Sequence, residues 1–394
     1  MALSCVAGLI AKAIPKQEEK EDFKEEPATY KEAVTAPDAA QWKAAMDAEV
    51  ESLNENETWD LVDLPSNRRA LRGRWVYRYK RNSNGSIIKH KARWVVKGFE
   101  QRYGVDYNET YASVVKSTTY KVAFAIAVYY DYHLEQMDVK TAFLNGILEE
   151  KVFVTQPTGY TNGTKVCRLN KALYGLKQSP RVWYQTIHKF LTDLGFKCLI
   201  NDASVFKHGD LLVFVYVDDI LLLGPAIKAI NSLKRKLGDT YEMTDCGPCE
   251  YYLGMKIKRD RKLGTLTVSQ KTYLEGVLDH FRFSDLRPVS TPMEQGLNLQ
   301  ASEDHADAAF IERYQSAIGS LMYAMTQTRP DIAYSISVLS RFAHNPNTAH
   351  WNALKRVFRY IRGTTDVVIR YGGRPESLGL QGSSDSDWGG DNES

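Results

Sequence analysis

The stretch Leu211–Gly224, LLVFVYVDDILLLG, sets two adjacent aspartates, Asp218 and Asp219, at the centre of an otherwise apolar run rich in β-branched residues. An apolar segment, a short polar break and a second apolar segment read as two buried strands joined by a tight turn. Burying an ionised carboxylate costs several kcal/mol unless something compensates. No Lys or Arg lies between Asp210 and Lys228, so the local sequence offers no counter-charge. A divalent cation is the direct compensation, because Mg²⁺ takes carboxylate oxygens together with substrate phosphates. The plain alternative is a pair of turn residues pointing at water, although turns that tight prefer Asn-Gly or Asp-Gly.

At 394 residues the chain exceeds one simple core and implies two or three lobes. Its 43% hydrophobic and 25% charged content is that of a soluble globular protein. The net charge of +3 hides an asymmetry: Met1 to Asp63 holds fifteen acids against six lysines, while Arg68 to Arg102 holds twelve Lys/Arg against Glu100 alone. That block is interleaved with Trp75, Tyr77, Tyr79 and Trp94, the composition of a nucleic-acid or phosphate-binding surface, or else of a basic solvated sheet face. Five cysteines (Cys5, Cys167, Cys198, Cys246, Cys249) form no even framework and suggest a reducing compartment. Cys246-Gly-Pro-Cys249 has zinc-knuckle or redox spacing but no second Cys/His pair, and reads as a turn. Met1–Ile14 is interrupted by Lys12 and too short for a signal sequence, and no run approaches the ~18 apolar residues of a membrane span. Residues Pro15–Pro37, rich in Glu, Lys, Pro and Ala, read as a disordered linker.

Order is expected from near Gln41, where Trp42, Met46, Val50 and Leu53 have helical spacing. An extended Leu61–Leu64 follows. Arg74–Tyr79 and Ser86–Val96 flank Asn84-Gly85, a hairpin signal. Lys116–Tyr130 reads as a helix and His133–Val139 as a buried strand. Ser179-Pro180 supplies an N-cap and a first-turn proline ahead of the stripe Trp183, Ile187, Phe190, Leu191 and Leu194, closed by Gly195. Beyond Gly224 the pattern becomes increasingly helical, with one face at Tyr314, Ala317, Ile318, Leu321, Met322 and Met325. Another follows at Trp351, Leu354, Val357, Phe358 and Ile361.

Gln136-Met137-Asp138-Val139 places a third aspartate at the end of an apolar segment, ahead of Ala142-Phe143. A strand ending in Asp, then a helix, then a hairpin bearing Asp-Asp can bring three carboxylates to one end of an antiparallel sheet. Two-metal phosphoryl transfer needs such a site: one ion lowers the pKa of a 3′-hydroxyl, and a second, ~3.5–4 Å away, steadies the triphosphate and leaving oxygen.

The strings around these aspartates carry a family resemblance. Tyr216-Val217-Asp218-Asp219 resembles the YVDD box of reverse transcriptases, and Gln136–Gly146 (QMDVKTAFLNG) is similar to the first-aspartate motif of the Ty/copia retrotransposon class. Lys91–Phe99 (KARWVVKGF), Leu173–Pro180 (LYGLKQSP), Tyr252–Met255 (YLGM) and Thr328–Asp331 (TRPD) fit the same class, in order, from about Trp42 to the C-terminus. The resemblance implies an α+β, right-hand polymerase. Its palm would be an antiparallel sheet packed on helices, joined to fingers and a helical thumb/connection. The expected divisions are a linker-like segment over 1–40, fingers and palm over 41–260, thumb/connection over 261–375, and the start of a ribonuclease H domain over 376–394. Ser384–Gly389 (SDSDWG) resembles the opening strand of that last domain, with Asp385 its first carboxylate, and the other carboxylates it requires do not follow.

Carried over residue by residue, the resemblance makes Asp138, Asp218 and Asp219 the catalytic, metal-binding carboxylates, with the Val139 carbonyl a further ligand. It implies two Mg²⁺ ions, with Mn²⁺ as a substitute. Phe143 matches the aromatic gate that excludes a ribose 2′-hydroxyl. Gly175, Ser179 and Pro180 match the loop lining the nucleotide and template pocket, and Tyr174 stands where retroviral enzymes carry Gln. Lys91 and Arg93 match the cations that close on the triphosphate, with Lys80 on the facing strand. Leu253, Gly254 and Met255 match the primer grip. The implied partners are an RNA or DNA template-primer, dNTP and other parts of the polyprotein, integrase and ribonuclease H, with no membrane. The implied setting is cytoplasmic, in a virus-like particle, or nuclear. The expected activity is RNA-directed DNA polymerisation. A catalytically silent nucleic-acid-binding remnant and a two-metal nuclease are the alternatives, the nuclease having no need of Phe143, the Ser179-Pro180 loop or the basic hairpin.

Overall fold

The structure, a computed structural model, describes residues 25–81, 87–302 and 304–372. The Asn84-Gly85 turn, Cys5, Met1–Ile14 and the Ser384–Gly389 segment lie outside them.

Order starts earlier than Gln41. Helix α1 (Tyr30–Thr35) is capped by the Thr29 hydroxyl, which accepts from the Glu32 amide, and Ala33 is fully buried. Part of the segment expected to be a linker is therefore anchored. Helix α2 (Ala39–Glu55) follows, then β1 (Trp59–Val62) and the antiparallel hairpin of β2 (Gly73–Arg81) and β3 (Ile87–Val96). Strand alternation sends Trp75, Tyr77, Ala92 and Trp94 to one face, buried against Trp42 and Met46 of α2. The opposite face carries Arg74, Arg78, Lys80, Lys89, Lys91 and Arg93. The interleaved aromatics are core and not a stacking platform. Arg74, Arg78, Lys80 and Lys89 are exposed, while Lys91 and Arg93 are half-buried.

Helix α3 (Ser117–Tyr129) leads into β4 (His133–Val139), a short 3₁₀ turn (Ala142–Asn145) and strands β5 (Phe153–Val154) and β6 (Val166–Leu169), which pair with each other and with β1. Helix α4 (Ser179–Asp193) precedes β7 (Lys197–Cys198), β8 (Val205–His208), β9 (Leu211–Tyr216), β10 (Asp219–Gly224), α5 (Ile227–Thr240) and β11 (Met243–Pro248). The central sheet runs β11-β4-β10-β9-β8-β7, with every neighbouring pair antiparallel. Val213, Val215, Ile220 and Leu222 pack under α4 and α5, while Phe214, Leu221 and Leu223 pack against α3 and a second sheet. Strands buried on both faces need an unbroken apolar run, which explains LLVFVY and ILLL.

The N-cap of α4 is Gln178, one residue before the expected Ser179, and Pro180 sits in the first turn. Ser179 is displaced from that role because its hydroxyl donates to the Leu173 carbonyl at 2.6 Å.

The expected helical run after residue 260 is interrupted. Strands β12 (Tyr251–Tyr252), β13 (Met255–Asp260) and β14 (Thr265–Ser269) form an antiparallel sheet that β15 (Ile369–Gly372) completes. The division expected at 260 thus falls inside the β13–β14 hairpin. Helices α6 (Lys271–His280), α7 (Ala308–Gln327), α8 (Ala333–Ser340) and α9 (Thr348–Gly363) enclose a separate core of Tyr314, Leu321, Leu354 and Phe358. Met322, expected on the buried face of α7, is 40% exposed. Among the described residues no helix is long and apolar enough to cross a membrane.

Candidate active site

Alternation along β4 sends Met137 and Val139 into the core beneath α4 and α5, and so turns Gln136 and Asp138 to the other face. Pairing with β10 sets Asp138 directly opposite Asp219, where facing Cβ atoms lie ~4.5–5.5 Å apart. Asp219 opens a strand, so only Val217 and Asp218 form the turn, and Val217 takes φ +56°, a strained conformation for a β-branched residue. Two bonds hold that turn: Trp183 of α4 donates Nε1–H to the Val217 carbonyl at 2.7 Å, and the Val139 amide donates to the Asp218 carbonyl at 2.8 Å. A strand residue's N–H and C=O point the same way, so the Val139 carbonyl also faces the turn.

The three carboxylates work against one another. Burial and the Asp218 charge push the Asp219 carboxyl up to about 6, with Asp138 adding to the rise. Asp138 is raised too, by burial and by Asp218, and is eased by Lys80, Lys91 and Arg93. Among the described residues no three His, Cys, Asp or Glu side chains, Asp138, Asp218 and Asp219 included, are gathered closely enough to hold a metal ion. The donor set is nonetheless what a hard divalent cation takes: oxygen ligands, partly buried, whose mutual repulsion a cation would relieve.

Gln136, which the sequence reading passed over, donates Nε2–H to Asp219 Oδ1 at 3.0 Å. Its position two residues before Asp138, hence on the same face, was the available signal. Cys246 and Cys249 are free, and Cys246 belongs to β11 rather than to a turn.

Lys91 and Arg93 share the basic face of the hairpin, and the register puts Lys80 on that same side, opposite Lys89, as Arg78 faces Lys91. Like charges set opposite one another are destabilising, and Arg78 is offset by an ion pair with Glu26 at 2.6 Å. Burial, Arg93 and Lys80 hold the Lys91 ammonium below its ordinary range, against the opposing pull of Glu49 and Asp218.

After β4, Thr141 adopts the left-handed region at φ +49° and swings the chain into the 3₁₀ turn that carries Phe143. Phe143 is half-buried, its ring 4.8 Å from that of Tyr174. The Tyr174 carbonyl accepts from the Val96 amide at 2.8 Å. Gly175 has φ +95°, and a Cβ there would lie 2.1 Å from the Val96 carbonyl oxygen, so the loop approaches β3 only as glycine. Pro180 is half-buried at the start of α4. Ser179 is fully buried and ties the loop together, so its hydroxyl shapes the loop and is not presented at its surface.

Leu253 and Gly254, with φ +47° and +76°, form the turn between β12 and β13, and the Tyr323 hydroxyl donates to the Leu253 carbonyl. Met255 is fully buried and belongs to the core rather than to a contact surface. A further feature was missed. Phe99, Tyr103 and Tyr111 are 78%, 74% and 70% exposed. Their loop docks on the start of α4 through Lys177, which lies over the Tyr107 ring, and through Arg181, which donates to the Tyr111 carbonyl.

A match to the family described as Reverse transcriptase (RNA-dependent DNA polymerase) spans residues 56–295. The chain is 41% identical over 380 residues to the retrovirus-related Pol polyprotein from transposon TNT 1-94 of Nicotiana tabacum, covering 93% of this chain and 28% of that relative. It is 37% identical over 371 residues to the retrovirus-related Pol polyprotein from transposon RE2 of Arabidopsis thaliana, covering 91% and 25%. The chain thus spans about a quarter of the length of these relatives. Among solved structures it is similar to the foamy viral protease-reverse transcriptase dRH in complex with ds DNA, with a TM-score of 0.41 and 12% identity, over 82% of this chain and 48% of that one.

Proposed function

Because the chain belongs to the reverse transcriptase (RNA-dependent DNA polymerase) family, with retrotransposon Pol polyproteins as relatives, we propose that it adds deoxynucleotides to a primer 3′-hydroxyl on an RNA or DNA template. One observation carries the reading. Asp138 faces Asp219 across β4 and β10, Asp218 sits in the adjoining turn, and the cationic face of β2–β3 lies within electrostatic reach.

In this reading Asp138, Asp218 and Asp219, with the Val139 carbonyl, would hold two Mg²⁺ ions, which when bound supply Lewis-acid activation of the hydroxyl and charge neutralisation of the triphosphate. Lys80, Lys91 and Arg93 draw in the triphosphate and offset its charge, which orients the α-phosphate toward the carboxylates. Phe143 closes the space beneath the sugar. Gly175 and Pro180 belong to the wall of the nucleotide and template pocket, and the Leu253-Gly254 backbone holds the primer end. Exposed Phe99, Tyr103 and Tyr111, beside Lys177 and Arg181, would stack unpaired template bases.

Primer extension on poly(rA)/oligo(dT) tests this. Extension is expected with Mg²⁺ and with Mn²⁺, and Asp218→Asn should abolish it while primer–template binding stays largely intact. Near wild-type extension by that variant would overturn the site. Tight binding without extension by the unaltered chain would favour the silent remnant.

A further inference from the structure

The side chain that stands where retroviral enzymes carry Gln is clamped between two groups of the proposed substrate pocket. The Arg93 guanidinium lies 4.5 Å from the centre of the Tyr174 ring, with Nη2 3.5 Å from its hydroxyl. The Phe143 ring meets the same tyrosine at 4.8 Å and 60°, an edge-to-face pair. From this stack we infer that Tyr174 is the specificity-determining residue that fixes the Phe143 ring, and thereby sets how strictly a ribose 2′-hydroxyl is excluded. The inference rests on reading Phe143 as the sugar gate.

Phe143 cannot hold such a position unaided. It rides on a four-residue 3₁₀ turn entered through a left-handed Thr141, and it packs on the core under the sheet without being fully covered by it. Tyr174 can serve as the backing wall because its own backbone is immobilised. Its carbonyl takes the Val96 amide, and Gly175 beside it is pressed on the Val96 carbonyl with no room for a Cβ. Gly98 meets Gly175 from the other side, where an added Cβ would lie 2.1 Å from the Gly175 carbonyl oxygen. Arg93 closes the stack from the fingers side. Glu49 lies within electrostatic reach of Arg93 and accepts from the Trp94 amide at 3.2 Å, so β3 is anchored next to the guanidinium. The cation proposed to meet the triphosphate therefore rests on the ring that backs the gate. Phosphate capture and sugar selection then share one rigid element.

The test is the ratio of kcat/KM for matched dNTP and rNTP on one primer–template. Tyr174→Leu, with Phe143 intact, should lower discrimination roughly three- to tenfold, the scale of one lost aromatic pair. Tyr174→Phe keeps the ring and should stay within about twofold of the unaltered chain. In a Phe143→Val background, Tyr174→Leu should add nothing further, because both changes act through one ring. A merely structural role would lower both rates equally and leave the ratio alone. An unchanged ratio in Tyr174→Leu, together with a relaxed ratio in Phe143→Val, overturns the inference and spares the gate. An unchanged ratio in Phe143→Val overturns the gate and the inference with it. If Tyr174→Leu does not fold, Tyr174→Gln removes the ring with a polar side chain of similar reach and reads the same ratio. If the chain binds primer–template without extending it, the ratio is read from the dNTP and rNTP concentrations that stabilise the complex.

Discussion

Asp219 carries the largest conflict between folding and chemistry at this site. Its carboxyl is pushed up to about 6 from 3.8 by burial and by the Asp218 charge. Between those values the folded chain keeps a proton that the unfolded chain has released, so stability falls as pH rises from about 4 to about 6 and stays lowered above that. Asp219→Asn removes the loss. In thermal melts without divalent cation, the variant should be more stable than the unaltered chain at pH 7 by about 1–2 kcal/mol, with the gap closing near pH 4. Added Mg²⁺ should narrow the gap at pH 7 by stabilising the unaltered chain. An equal gap at both pH values would show that ionisation of Asp219 is not what the fold resists. Asp138, Asp218 and Asp219 were legible in the sequence because ionisable groups inside apolar runs demand a reason. Gln136 offered only the weak signal of lying two residues before Asp138, and its partner Asp219 sits on another strand, eighty-three positions away. Ser179 was misassigned for a related cause: a conspicuous serine-proline start says nothing of which carbonyl its hydroxyl meets.

The β2–β3 hairpin shows what alternation does to a composition argument. Twelve cations and four aromatics in one block read as a mixed surface, yet within the hairpin a period of two sends the four aromatics to one face and Arg74, Arg78, Lys80, Lys89, Lys91 and Arg93 to the other. The sorting was readable in principle. Which face met α2 was not, because it depends on Trp42 and Met46, some thirty residues upstream. Lys80 directly opposite Lys89 is the residue pair that tests the basic face, since neither is matched to an acid across the ladder. Lys89→Glu turns a repulsive pair into an attractive one and should stabilise the chain by about 0.2–1 kcal/mol. The same change should weaken primer–template binding and flatten its dependence on salt, because fewer counterions are released. Denaturant midpoints and binding isotherms across a salt series check both halves. Greater stability with unchanged binding would remove this end of the hairpin from the nucleic-acid path.

At the scale of the molecule, the lobes inferred from length and patterning are tied together more closely than their sequence boundaries implied. The Tyr120 hydroxyl of α3 bonds Gln327 of α7, Lys121 donates to the Thr326 carbonyl, and Tyr323 of α7 holds the β12–β13 turn. The first two bonds join residues about two hundred positions apart and the third spans seventy, and none leaves a local trace in the sequence. The sheet of β12 to β15 escaped notice for the same reason: β15 has four residues and finds β14 a hundred positions away. Cutting the chain after residue 260 strips β14 and β15 from β13 and takes Leu266 and Val268 out of the core beneath Tyr252 and Met255. A 25–260 fragment should therefore be largely insoluble or melt without a cooperative transition, whereas 25–372 should unfold cooperatively. A soluble, cooperatively melting short fragment would mean the second sheet is dispensable. The order β11-β4-β10 within the central sheet also has a consequence in time. Strand β4 emerges from the ribosome with Asp138 but lacks both of its neighbours until β10 and β11 follow, roughly eighty to a hundred residues later, a wait of order ten seconds at 5–20 residues per second. During that interval the nascent chain holds a strand with two open edges and no assembled carboxylate cluster, so translation speed across residues 140–248 sets how long the future catalytic strand is exposed to mispairing.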